Sequence, residues 1–149
     1  MPPSAIPYTT GDVCIIPLSN GNQVFAKLVF APIGELKQTV GLTIYLQSPL
    51  DHPLQPIQTF NIMQKSQQVL FTGNQKLKNG LWPLIGHINL TESDLALQHF
   101  IYAGHLYHNE TCIRNISPDE FKHHTNLTVC GFQLLDQLLC RNQEDIENT

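Results

Sequence analysis

Seven histidines and four cysteines are the residues of this chain with the most chemistry in them. His105 and His108 stand three apart, and His123 and His124 are adjacent, so a metal ion is the first chemistry to test. On a strand, residues three apart point to opposite faces, and His105 and His108 then cannot easily share one ion. No HExxH run or comparable histidine–carboxylate spacing occurs. Cys14, Cys112, Cys130 and Cys140 form no CxxC pair and match no zinc spacing. They read as small buried hydrophobes of a reducing compartment. A Cys–His catalytic pair meets in space rather than along the chain, so spacing leaves that chemistry open. The Gly-x-Ser-x-Gly elbow and the Gly-rich phosphate loops are absent. The close carboxylates, Glu92 with Asp94 and Asp119 with Glu120, fall in the first turns of expected helices, where they complement the helix dipole. The expectation is a chain with no metal and no cofactor. His87, just after Ile85-Gly86, is the histidine placed where a strand end would offer it to a ligand.

The chain that must position these residues has 149 residues, enough for one domain spanning 1–149 with a sizeable core. Charged residues make up 13%, about half the usual ~25%, and Asn, Gln, Ser and Thr replace them. Such a surface suits contact with another protein. Net charge is −4, Arg114 and Arg141 are the two arginines, and Lys76 with Lys78 is the nearest thing to a basic cluster. Phosphate backbones are held by Arg and Lys clusters, so nucleic acid is not the expected partner. A basic target fits better, because mild acidity would steer it. No apolar run approaches the ~18 residues of a membrane helix. The start, Met1-Pro2-Pro3-Ser4, lacks the charged and apolar regions of a signal peptide. The expected location is cytoplasmic, away from membranes.

Periodicity divides the chain into strands first and helices later. Residues 13–18 read as a strand covered on both faces, Ser19-Asn20-Gly21-Asn22 as a tight turn, and Val24 to Phe30 as the return strand. In that strand Val24, Ala26, Leu28 and Phe30 share one face. A third strand runs from about Gln38 to Leu46, with Val40, Leu42, Ile44 and Leu46 on one face and Thr39, Gly41, Thr43 and Tyr45 on the other. Ile57 to Met63 and Gln67 to Thr72 are shorter strands. Gly73-Asn74 and Asn79-Gly80 bracket a turn or ribbon. Leu81 to Ile88 is extended, and Pro83 puts it at an edge. Thr91 is an N-cap for a helix reaching Ala103-Gly104. Leu106 to His108 and Thr111 to Ile116 form a hairpin turning at Asn109-Glu110. Ser117-Pro118-Asp119-Glu120 starts another helix. A last helix covers Phe132 to Arg141, with Leu134, Leu135, Leu138 and Leu139 as its stripe, and the acidic end frays. The fold class is α+β: an N-terminal curved antiparallel sheet or partial barrel, then two or three helices and a late hairpin.

Two runs carry more than periodicity. The first is Gly11-Asp12-Val13, continuing through Ile16-Pro17-Leu18 and Asn20-Gly21 to Phe25-Ala26. The second is Trp82-Pro83-Leu84-Ile85-Gly86. Together they resemble the Immunity protein 26 family of bacteria. Cys14 departs from the aromatic or small residue more usual there. The resemblance implies a non-enzymatic, intracellular antitoxin that neutralises the toxin domain of a polymorphic toxin system by covering it. It transfers no catalytic residues. Its partner would be held by a few desolvated anchors ringed by polar contacts. Trp82, Tyr45, Tyr102 and Tyr107 are the candidate anchors, Asp12, Glu92 and Asp94 the candidate charge partners, and His87 an added candidate. A lone tryptophan in an apolar strand is also an ordinary core residue. Two other readings stand beside this one. A small hydrolase would gather His87, His105, His108 and the cysteines in one pocket. A peptide-binding adaptor would show an open sheet edge or aromatic groove.

Overall fold

The computed structural model describes residues 6–34, 36–51, 55–57, 60–62, 65–102, 105–117, 119, 127 and 129–147, with the backbone alone at 61, 62, 65, 66 and 142–147. Strands β1 (Asp12–Pro17) and β2 (Gln23–Phe30) form the expected hairpin, with Cys14 opposite Ala26 and Ile16 opposite Val24. Gly21 holds φ +88° in its turn, a conformation that glycine adopts without strain. Strand β3 (Thr39–Tyr45) pairs antiparallel with β2, placing Lys27 opposite Thr43 and Phe25 opposite Tyr45. Short strands β4 (Phe60–Ile62) and β5 (Lys65–Gln67) pair with each other, and β6 (Leu70–Gly73) joins β3. A four-residue helix, α1 (Gln75–Lys78), stands where a turn or ribbon was expected. It leads to β7 (Leu84–His87), which pairs with β1 at the sheet edge, as Pro83 requires.

Thr91 caps α2 as its sequence predicts, but α2 is only Glu92–Ala96. The segment expected to continue that helix is strand β8 (His99–Tyr102). His-Phe-Ile-Tyr is aromatic and β-branched, and it finds a strand partner in β9 (His105–His108). Strand β10 (Thr111–Asn115) completes the late hairpin, with Asn109 at φ 57° in the turn. The helix start at Ser117-Pro118-Asp119-Glu120 falls mostly outside the described residues. Strand β11 (Val129–Cys130) runs parallel to β6, and α3 (Phe132–Glu147) extends through the acidic stretch expected to fray.

The result is α+β and mostly sheet. A mixed six-stranded sheet, ordered β11-β6-β3-β2-β1-β7, is open rather than closed into a barrel, and β8–β10 make a second, smaller sheet. On one face of the large sheet Cys14, Ile16, Val24, Ala26, Leu28, Leu42 and Ile44 meet Leu135 and Leu139 of α3. Leu134, expected in that helical stripe, is exposed instead. The other face carries a second core of Val29, Phe30, Val69, Phe71 and Phe100. Phe30 was expected beside Leu28. A register shift between Leu28 and Phe30 turns it to the opposite face. There it meets Phe71 and Phe100 edge-on, at centroid distances of 5.9 and 5.0 Å. Gly41 makes this possible, since a Cβ there would stand 2.8 Å from that of Phe30.

Candidate functional site

The sequence run Val24 to Phe30 is apolar but for one lysine, and that lysine marks the site. Lys27 lies on the β2 face opposite α3, directly across from Thr43, and is 2% exposed. A buried ammonium needs hydrogen-bonding partners. The chain leaving β7 supplies them. Lys27 Nζ donates to Asn89 O at 3.1 Å and to Asp94 Oδ2 at 2.6 Å. Asp94 is fixed in turn by the capping box of α2: its backbone N–H donates to Thr91 Oγ1, and its Oδ2 accepts from the Thr91 N–H. One carboxylate oxygen therefore closes the helix cap and neutralises the lysine together.

This pair forms part of the wall of a cavity of about 520 Å³, bounded also by Tyr45, Gln68, Pro49, Pro56 and Ile88. Burial pushes the Tyr45 phenol above its ordinary pKa, and the negative charge of Asp94 adds to the effect. The nearby Thr43 hydroxyl opposes the shift by more than Asp94 adds to it, yet it is wholly buried with no hydrogen bond of normal geometry.

A second polar group joins this one. Gly11, at φ +94°, turns the chain into β1, and a Cβ there would lie 2.6 Å from His87 Cε1. This close approach lets Asp12 pair with His87 across β1 and β7. His87 Nδ1 lies 2.9 Å from Asp12 Oδ1, and Nε2 lies 3.2 Å from Asn89 Oδ1. The second Asp12 oxygen accepts from the Thr9 N–H. Asn89 thus links the two groups, through its side chain to His87 and its carbonyl to Lys27. The two sequence runs, Gly11-Asp12 and Gly86-His87, are neighbours in one sheet.

The structure sorts the predicted site residues sharply. Asp12, His87 and Asp94 lie on this connected chain of polar contacts, and Glu92 is exposed close by on α2. Asp94 was expected as an exposed charge partner and is 5% exposed, because its charge is spent on Lys27 and the cap. Tyr45 was placed on the polar face of an alternating strand. That face is covered, and Tyr45 is 5% exposed, because the segments after β3 and β7 close over it. Trp82 is core rather than an exposed anchor: it is buried, edge-on to Phe132 at 5.4 Å. Tyr102 and Tyr107 meet edge-on at 5.8 Å on the smaller sheet, away from the other candidates in the chain of contacts. Tyr102 is exposed, while Tyr107 stacks on Phe100.

Cys14 and Cys130 are buried as expected, and burial pushes the Cys14 thiol up to about 12. Cys112 is exposed, against expectation, because β10 presents all five of its residues to solvent. Among the described residues no three His, Cys, Asp or Glu side chains gather as metal ligands would. Lys27 was missed, although a lone cation in an apolar strand was a visible signal. The pair His99–His108, stacked at 4.5 Å across β8 and β9, was also missed, because only strand register brings the two rings together. No helix among the described residues is long and apolar enough to cross a membrane.

Comparison of the chain with protein-family models, with curated proteins and with solved structures finds no match.

Proposed function

We propose that this chain is an inhibitory binding protein of the immunity type, which neutralises a protein toxin domain by covering it. The observation that carries the reading is the meeting of the two runs that resemble the immunity family. They are far apart in sequence, yet they form the adjacent strands β1 and β7, and their ends share the Asp12–His87 contact. The resemblance therefore concerns one continuous structural unit rather than two scattered matches.

The contact surface follows from what is exposed beside that unit. His87, Glu92, Leu95 and Ile85 are exposed around the polar chain, with Leu95 at 47% and Ile85 at 38%. Apolar anchors rimmed by polar and acidic groups match the anatomy of a protein interface. The net charge of −4 favours a basic target. A rigid sheet whose rim is tied by Asp12, His87 and Asn89 loses little freedom on binding, which favours affinity.

The test is co-expression with any toxin domain that a neighbouring gene encodes. Rescue of growth, and a complex that survives gel filtration, are expected. Glu92→Arg combined with Leu95→Asp should weaken binding at least about tenfold without unfolding the protein. Failure of the native chain both to bind and to protect would overturn the reading.

A further inference from the structure

The Lys27–Asp94 pair is left incomplete on its cavity side. A buried ion pair repays the cost of its desolvation only when its remaining hydrogen-bonding capacity is satisfied as well. Here it is not. Lys27 Nζ has three protons and gives two of them, to Asn89 O and Asp94 Oδ2. Asp94 Oδ2 accepts from both Lys27 and Thr91, whereas Oδ1 accepts from no described residue. Both residues line the cavity, and so does Tyr45, whose phenol burial keeps protonated. The hydroxyl of Thr43, directly across from Lys27, is buried without a partner.

We propose that this cavity is a binding site for a small uncharged molecule bearing a carboxamide or lactam edge. Charge decides the class. An incoming anion would meet Asp94, and an incoming cation would meet Lys27, each within a site that is already neutral as a pair. A neutral edge with adjacent donor and acceptor satisfies both: its carbonyl accepts the third Lys27 proton and its N–H donates to Asp94 Oδ1. The Tyr45 hydroxyl offers a further donor. Pro49, Pro56 and Ile88 supply apolar walls for a flat ring. At about 520 Å³ the cavity is larger than one inserted side chain needs and falls within the range of small-molecule pockets. The site does not depend on toxin inhibition, and the chain could hold such a ligand with or without a protein partner.

The test uses three flat probes of similar size that differ in charge: nicotinamide, benzamidine and benzoate. Each is titrated into the purified full chain by isothermal calorimetry, with ligand-observed NMR for weak binding. Nicotinamide should bind, and the two charged probes should bind at least about tenfold more weakly. Tyr45→Phe should weaken nicotinamide severalfold. Lys27→Met with Asp94→Leu should abolish the preference for the amide. Ser93→Trp, at the exposed rim, should block all binding with the fold intact, and it keeps the test decisive should the double variant not fold. No binding of nicotinamide at millimolar concentration, equal binding of all three probes, or binding undiminished in Ser93→Trp would overturn the proposal. Toxin protection by the same preparations is scored separately, so loss of one property is distinguishable from loss of the other.

Discussion

The two faces of the six-stranded sheet are closed by different means. Toward α3, aliphatic side chains from β1, β2 and β3 meet Leu135 and Leu139, with Trp82 and Phe132 closing the end. The opposite face begins the same way, with three phenylalanines in edge contact, and then changes character at Lys27, Thr43 and Tyr45. The first face is sealed by a helix whose backbone satisfies itself. The second is sealed by the connection from Asn89 into the first turn of α2, whose exposed carbonyl and carboxylate must be hydrogen-bonded, and Lys27 does this at Asn89 and Asp94. The polar closure borders a cavity of about 520 Å³, against about 370 Å³ for the one beside α3. Among the described residues the two buried charges, Lys27 and Asp94, both lie on the polar side.

The contrast can be broken most strongly at Lys27. Lys27→Met leaves Asp94 buried beside no cation and should cost roughly 3–5 kcal/mol in urea unfolding. The double variant Lys27→Met, Asp94→Leu should regain much of that loss. A single variant as stable as the parent would show that the pair does not hold the second face. On the aliphatic side, Leu42→Ala should cost about 2–5 kcal/mol through the cavity it opens. Thr43→Val, one residue away but on the other face, should change stability by less than about 1 kcal/mol, since it removes a buried hydroxyl that has no partner. Near-equal costs for these neighbours would erase the distinction between the faces.

The smallest effect lies at the rim of the aliphatic face. Asp136 of α3 accepts from the Ser19 backbone N–H at 2.8 Å and from the Ser19 hydroxyl, joining the helix to the β1–β2 turn. These bonds hold its carboxyl below the ordinary 3.8. The folded state thus favours the ionised form. The resulting stability is fully present above 3.8 and fades as pH falls through the lower folded value. Asp136→Asn should therefore be slightly destabilising at neutral pH and indistinguishable from the parent in strong acid. Thermal melts across that range check it. An effect independent of pH would assign the loss to packing instead.

How much of this was legible beforehand varies along the chain. The hairpin from Asp12 to Phe30, the edge position of Leu84–His87, the Thr91 cap and the turn at Asn109 each rest on a local signal, and each is present. His99–Tyr102 was read as helix, because its apolar residues continue a helical spacing from Leu95 while its strand partner is unknown until the chain folds back. Tyr45 and Asp94 were chosen for the site on the assumption that polar residues face water. Both are in fact buried, Asp94 in its ion pair with Lys27 and Tyr45 in the wall of the adjoining cavity.

By itself the sequence determined the α+β fold class and the local bends of the chain, since turn residues, caps and alternation act over a few neighbouring positions. Tertiary structure alone decided that Lys27 finds Asp94 sixty-seven positions away, and that Asp12 finds His87 across seventy-five. Those meetings depend on strand register and on which segment covers which face. Both are set by the packing of the whole molecule, because a lysine is stable in a sheet interior only where its counter-charge is packed against it.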